Sequence, residues 1–324
     1  MITRAVLIYN PESGRQRRVR VAQVETARDT LRAAGVEAVS TATRAAGSAG
    51  EQAHEAIVKG YDAVFACGGD GTVNEVLQGM VGSQAALGVI PLGTANALAA
   101  DLRIPRDPAA AARAAPSARQ VRVAVGQLSS TDQNGDTHSR FFIVTAGVGA
   151  DAHLVYTMSA AFKQRYGYAG YFAYACRTWA THPFPPFEVE FTQPGGEIRR
   201  EIVSQLLAAR ITEFGGLMRR LVSGAALNRN VLRLALFKTP DRLRYLQYMT
   251  NVWLGRQTAV RDVELADAIS VDCRPLREPC QEARWRGRDF SRRIYTEADG
   301  ELTGMLPASI KIVPDAVTLL VPGK

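Results

Sequence analysis

The chain has 324 residues, of which 47% are apolar and 22% charged, with a formal net charge of +8 at pH 7. That is the composition of an ordinary globular protein, and the length exceeds what one hydrophobic core usually supports, so two domains are expected. Cys67, Cys176, Cys273 and Cys280 form no CxxC pair and no His–Cys cluster, which excludes a zinc framework and reads as reduced thiols in a cytoplasmic protein. The opening MITRAVLIYNPESG has too short an apolar run for a signal peptide, and no stretch approaches the 18 or so apolar residues of a membrane span, so a soluble or peripheral protein is expected.

In chain order, residues 4–9 read as a buried strand and NPESG as the turn after it. Residues 17–34 carry Val, Ala and Leu at helical spacing up to Gly35. VEAVST is a second strand, residues 48–59 a helix, YDAVFAC a third strand, and 72–80 a helix. ALGVIPLG is a fourth strand with its loop, and TANALAADL a fourth helix. Strands alternating with helices at this pitch predict a parallel sheet covered on both faces. Ligands bind such sheets at the carboxyl ends of the strands, where NPESG, GGDGT and PLGT all fall.

After Pro116 the texture changes. ARQVRVAVGQL and RFFIVTAGVGA read as strands joined by a TDQNGDTHS hairpin loop, and 151–180 reads as helical. From Phe187 onward strands predominate: FEVEF, EIVSQLLAARI, VLRLALF, AISVDC, ASIKIVP and AVTLLVP. Within DRLRYLQYMTNVWL, a helix over 241–254, Leu243, Leu246, Met249, Val252 and Trp253 form a stripe read as core-facing, with a membrane-facing helix as the alternative. Tyr166, Tyr168, Tyr171, Phe172 and Tyr174 read as core packing, with an acyl-chain groove as the alternative.

A strand ending in Gly68-Gly69-Asp70-Gly71 lets the backbone turn sharply and approach a bound group closely. The freed N–H groups and the following helix start make an anion site, so these glycines read as a phosphate cradle. Thr72 reads as the N-cap, with Glu75 completing a capping box. Asp70 stands where a metal, or metal-bound water, near phosphates needs a carboxylate; its plainer role is a loop-stabilising acceptor. No GxxxxGK[ST] is present, and GxGxxG is absent from the first strand–helix turn. Near the end, Asp299 and Glu301 flank Gly300; the DG pair marks a turn, and its carboxylates are candidates for a general base.

Together, NPESG, Thr43 with Gly47-Ser48-Ala49, DAVFACGGDGTVNEVLQGM, LGVIPLGTANALA, KQRYGYAGYFAY and DGELTGMLPASIKIVPDAVTLLVP resemble the diacylglycerol kinase catalytic family, which includes bacterial soluble lipid kinases and sphingosine kinases. The likeness spans nearly the whole chain, with GGDGT and PLGTAN its most specific blocks. It implies an α/β N-terminal domain with a mostly parallel sheet, like those of NAD kinases and phosphofructokinases, and a β-rich, sandwich-like C-terminal domain. The expected domains are 1–122, rejoined by 308–324, for nucleotide binding and 123–307 for the lipid substrate. ATP and Mg²⁺ are the implied cofactors and a lipid hydroxyl the acceptor. By carry-over, Asn10, Thr43, Gly68, Gly69, Asp70, Gly71, Thr72, Asn74, Glu75, Gly93 and Thr94 contact or shape the ATP site. Glu301 becomes the general base, with Asp299 beside it and Asp70 reached through Mg-ATP.

The chain departs from the family in places. Ala97 follows GTAN where many bacterial members have Asp, and Glu213 stands where an Asn usually precedes Gly-Gly. An acidic DDG turn, which in some members supplies a structural magnesium site, is replaced by Asn228-Arg229-Asn230, so that metal is not expected; Arg219, Arg220 and Arg229 are candidates to fill its place with charge. A NAD kinase-like enzyme and a catalytically silent nucleotide- or lipid-binding regulator are the alternatives. From Glu213 to Arg256 there are eight Lys/Arg and two acidic residues, which leaves a solvated basic face or peripheral contact with an anionic membrane. No nucleic-acid-binding motif accompanies the charge, and an edge-strand homodimer stays open.

Overall fold

The structure is a computed structural model that describes residues 2–11, 17–158, 173–214, 221–256, 260–276 and 293–323. The chain divides into two compact units, Met1–Val125 with Pro314–Lys324, and Gly126–Val313.

In the first unit, β1 (Arg4–Tyr9), β2 (Glu37–Ala42), β3 (Ala63–Gly68) and β4 (Ala86–Pro91) are parallel in the order β2-β1-β3-β4. The last strand, β15 (Glu301–Val321), returns to pair Thr318 and Leu319 with Ala86 and Leu87. Every residue of β3 and β4 is buried, as a central parallel strand covered on both faces requires. The covering helices are α1 (Arg17–Ala33), α2 (Ala49–Val58), α3 (Asp70–Met80), α4 (Ala97–Asp101) and α5 (Pro108–Ala114). Val24 and Leu31 of α1 pack with Leu7, Phe65, Ile90 and Leu320 of the sheet. Two sequence expectations are corrected. The fourth helix is only five residues, because Asn96 takes a left-handed conformation and delays its start. Helix α3 begins at Asp70 with Gly69 as its N-cap, so Thr72 is the third helical residue and no capping box forms.

The second unit is a β-sandwich. One path of strands runs β12 (Val263–Ala268), β11 (Leu232–Phe237), β10 (Gln205–Ala209), β7 (Thr145–Gly149), β14 (Tyr295–Ala298), β15. β13 (Ser270–Pro275) joins β15 to β8 (Phe187–Thr192), which pairs with β9 (Ile198–Val203), while β5 (Arg119–Thr131) pairs with β15 and β6 (Thr137–Phe142). Alternation sets the layers: Leu206, Ala208, Leu234 and Leu236 point into the sandwich core with Val148, Phe191 and Ile310. Leu207, Ala209, Ala235 and Phe237 point the other way, under α8 (Arg242–Trp253). Two further helices, α6 (Ala150–Thr157) and α7 (residues 173–181), lie within the stretch expected to be helical. Tyr174 falls in α7; Tyr166, Tyr168, Tyr171 and Phe172 lie outside the described residues.

Three strand expectations change here. RFFIVTAGVGA is not one strand but β6 and β7, interrupted at Ile143–Val144. EIVSQLLAARI breaks at Ser204, whose buried hydroxyl turns to Thr239 O at 2.5 Å and Tyr245 Oη at 2.7 Å. ASIKIVP and AVTLLVP fall in one continuous strand of 21 residues that begins with the ELTG segment. The stripe expected on α8 holds in part: Val252 is buried and Met249 packs against the core, but Tyr245 and Tyr248 take the other buried places, while Leu243, Leu246 and Trp253 face outward.

Candidate active site

The registers of the first unit align the carboxyl ends of its strands: Tyr9 lies opposite both Ala42 and Cys67, and Gly68 opposite Pro91. Asn10, Thr43, Gly69-Asp70 and Gly93-Thr94 therefore emerge side by side along one edge. Backbone bonds continue the ladder past the strands, from Thr43 N–H to Tyr9 O at 2.8 Å and from Leu92 N–H to Gly68 O at 2.9 Å. The loops after β3 and β4 then nearly touch: a Cβ on Gly93 would stand 2.4 Å from Gly69 Cα, well inside van der Waals contact. Only glycine fits there. Thr72 Oγ1 lies over Gly68, where a Cβ would approach it to 2.3 Å. Thr72 thus packs on the strand end instead of capping the helix.

Asp70 Oδ1 accepts the Ala97 N–H at 2.7 Å, tying the start of α3 to the start of α4. Asn96 closes the second loop on itself: its Oδ1 accepts the Gly93 N–H at 3.0 Å and its Nδ2 donates to Gly93 O at 2.8 Å. Ser48 Oγ accepts the Arg44 and Ala45 N–H groups at 3.0 and 3.1 Å, which shapes the loop after Thr43. Asn74 is fully buried and Glu75 half-buried, whereas Thr94 is exposed. Sequence reasoning missed Arg20. From α1 its guanidinium donates to Leu92 O at 3.2 Å, placing a cation, its pKa lowered by burial, on the glycine-loop edge. The available signal was the basic run RQRRVR directly after NPESG. Of NPESG itself, Asn10 and Pro11 are described; residues 12–14 lie outside.

In the second unit, Asp299 and Gly300 have φ of 51° and 81°, and Ala298 pairs with Glu301. This is a two-residue hairpin turn with both central residues left-handed, the geometry that selects Asp-Gly. The Asp299 carboxylate is almost fully buried. Its Oδ1 accepts the Val144 and Thr145 N–H groups, each at 2.9 Å, and its Oδ2 the Ile143 N–H at 3.0 Å. Those amides belong to the break between β6 and β7, so one carboxylate holds the break open and the turn in place. Glu301 begins β15 exposed to solvent.

Below the turn, Glu297 Oε2 accepts the Gly300 N–H at 2.7 Å. Its other oxygen and Asp151 Oδ2 converge over Gly147, at 2.7 and 2.8 Å from where a Cβ on that glycine would lie. Glu297 Oε1 has no hydrogen-bond partner among the described residues. Burial pushes the Asp151 carboxyl up to about 6, and burial together with the Asp151 charge pushes Glu297 well above the usual carboxylate range. The pair therefore holds a proton far more readily than free carboxylates do.

The turn at 227–231 is organised by a cation from within the protein. Arg210, fully buried, donates to Leu227 O at 3.1 Å, to Arg229 O at 2.8 Å and to Val231 O. Burial and the nearby Arg229 charge lower its pKa to about 10, so it stays charged at neutral pH. Arg229 pairs with Asp267; Arg219 and Arg220 lie outside the described residues. Among the described residues there is no group of three or more His, Cys, Asp or Glu able to hold a metal.

Residues 4–128 match the family described as the diacylglycerol kinase catalytic domain, and residues 143–321 match the YegS C-terminal NAD kinase beta sandwich-like domain. A diacylglycerol kinase of Staphylococcus aureus strain MRSA252 is 33% identical over 314 residues, covering 95% of this chain and 89% of that one. The chain belongs to the diacylglycerol kinase family. A diacylglycerol kinase of Bacillus subtilis strain 168 is 28% identical over 307 residues, covering 94% of this chain and 91% of its own. The crystal structure of a diacylglycerol kinase from Bacillus anthracis Sterne superimposes with a TM-score of 0.71 at 21% identity, covering 99% of this chain and 97% of that one. That likeness shows the two-domain fold. As a family member the chain is an ATP-dependent lipid kinase, which favours this reading over a NAD kinase. No helix among the described residues is long and apolar enough to cross a membrane.

Proposed function

We propose that the protein transfers the γ-phosphoryl group of ATP to the hydroxyl of diacylglycerol or a closely related lipid. The observation that carries this reading is the contact of the two glycine loops, where only glycine fits between Gly69 and Gly93. Such a cradle lets backbone N–H groups and a helix start meet phosphate oxygens directly. The first unit takes the nucleotide and the second the lipid.

Asn10, Thr43, the Gly68–Thr72 turn, Gly93 and Thr94 bind or shape the ATP site, and Arg20 adds positive charge at its rim. Asn74, being buried, shapes the α3 start instead of touching ligand, and half-buried Glu75 supports the same helix. Asp70 is the residue that would hold Mg²⁺ together with phosphate oxygens; when bound, the ion neutralises phosphate charge. Glu301 accepts the proton of the lipid hydroxyl as its oxygen bonds to the γ-phosphorus and the bond to the bridging oxygen of ADP breaks. Asp299 positions Glu301 by fixing the turn. The enzyme works in the cytoplasm at an anionic membrane surface, where its substrate resides.

The test is phosphorylation of a total lipid extract with labelled ATP, followed by mass spectrometry of the product. Glu301→Gln lowers kcat by ~10²–10⁴, the usual worth of a general base, and Asp70→Ala abolishes transfer, while both variants keep the wild-type circular dichroism. Full activity in either variant refutes its assigned role, and ATP binding without any lipid product points to a silent regulator.

A further inference from the structure

Helix α8 presents two apolar faces. Tyr245, Tyr248 and Val252 enter the core, whereas Leu243, Leu246, Trp253 and Leu254 are 69%, 50%, 69% and 53% exposed. At ~100° per residue the exposed four share an arc of about 100° opposite the buried three. An outward row of two leucines ending in a tryptophan–leucine pair is more than the scattered apolar residues of an ordinary surface. We infer that α8 is a docking helix by which the enzyme lies on an anionic lipid bilayer.

The charges select that occupant. The helix carries no acidic residue; its Arg242 is bonded inward to Trp179 O and His182 O, and its half-exposed Arg244 lies 4.0 Å from Asp262 in the turn preceding β12. Asp241, at its start, is turned to cap the Leu243 N–H at 2.8 Å. Exposed Arg256 follows the helix end. Leucines and a tryptophan flanked by arginines are the composition of a helix lying in the membrane interface, with the apolar face among acyl chains and the cations at the head groups. A second copy of the chain fits less well. A twofold contact would bring Arg244 and Arg256 of both copies together, with only Asp262 and the capping Asp241 nearby to offset four cations. The helix is also firmly mounted, so contact at its face is passed to a rigid unit. The Tyr248 hydroxyl donates to Leu221 O at 2.5 Å, and Arg242 donates to Trp179 O at 3.0 Å and His182 O at 3.1 Å. The inference rests on the lipid kinase reading only for its purpose, since a bilayer is where the substrate is met; the docking itself is measured without turnover.

The experiment is co-sedimentation of the full chain with sucrose-loaded vesicles of phosphatidylglycerol and phosphatidylcholine, and with phosphatidylcholine vesicles alone. The wild type sediments with the anionic vesicles. A Leu246→Ser, Trp253→Ser double variant, altered only at exposed positions, keeps its melting temperature and loses vesicle affinity by about tenfold or more, as removal of two inserting apolar side chains requires. Arg244→Glu with Arg256→Glu lowers affinity for anionic vesicles more than for neutral ones. Activity on substrate dispersed in detergent micelles is unchanged in both variants. Equal vesicle binding by wild type and double variant overturns the inference, as does a wild-type dimer in analytical ultracentrifugation that the double variant dissolves. Absence of activity in micelles together with normal vesicle binding would count against the kinase reading and leave the docking helix standing.

Discussion

Asp299→Ala tests how the second unit holds its turn. The substitution removes the acceptor of three backbone N–H groups, at 2.9, 2.9 and 3.0 Å, in a nearly dry setting. A buried donor left without a partner costs roughly 1–3 kcal/mol. Three donors that share one relaxation therefore cost ~4 kcal/mol, toward the low end of the sum. For a unit of this size, each kcal/mol moves Tm by ~2–4 °C, so the expected drop is ~8–16 °C. Asp299→Asn keeps one oxygen for Val144 and Thr145 and turns an NH₂ toward Ile143, for a loss of ~2 kcal/mol. Differential scanning calorimetry of the three proteins reads both values. Activity separates positioning from chemistry: well below its Tm, Asp299→Asn retains most of its kcat, whereas Glu301→Gln does not. A change of under ~2 °C for Asp299→Ala would refute the anchoring role. Loss of kcat in Asp299→Asn equal to that in Glu301→Gln would refute the division of labour.

Gly93→Ala drives a methyl group to 2.4 Å from Gly69 Cα. It is expected to lower ATP affinity at least tenfold by isothermal calorimetry; unaltered affinity would remove the loop contact from the ATP site. Glu297→Gln tests the buried acid pair. Both carboxyls are raised in the folded state, Asp151 to about 6 and Glu297 well above its ordinary value. Between the unfolded values near ~4 and those raised values the folded chain binds the extra protons, so the pair's contribution to stability is fully present below ~4 and is lost as pH rises through 6. The glutamine variant, which keeps an acceptor for Gly300 and donates toward Asp151, is expected to have a flatter Tm between pH 5 and 8 and to match or exceed the wild type at pH 8. An unchanged slope would show that the pair does not set it. Asp70→Ala and Glu301→Gln, in the lipid-extract assay, complete the set.

What could be read from the sequence was local. GGDGT and PLGTAN each carry their own geometry, because glycine content and the distance from a strand end are visible in a few residues. The Asp-Gly turn at 299–300 was legible for the same reason. What Asp299 binds was not: its amide partners lie more than 150 residues away and come together only when β14 pairs with β7. The Thr72 cap failed because serine- and threonine-type capping assumes a free helix end, whereas the strand runs straight into α3 through Gly69. On α8, leucine and tryptophan looked more core-forming than tyrosine. Tyr245 and Tyr248 are nonetheless the buried residues, because Ser204 Oγ and Leu221 O meet their hydroxyls. Arg210 was invisible for a related reason: an arginine closing a strand of Leu and Ala reads as the point where the strand surfaces.

Arg210 makes one part of this protein independent of the ionic composition of its surroundings. The positive charge on the 227–231 carbonyls is translated with the polypeptide and covalently tethered. A chelator has nothing to withdraw there, no other ion can compete for the place, and no minimum ion concentration is needed for the turn to form. Withdrawal of ions from the surroundings therefore leaves the contacts of Arg210 with the 227–231 turn in place.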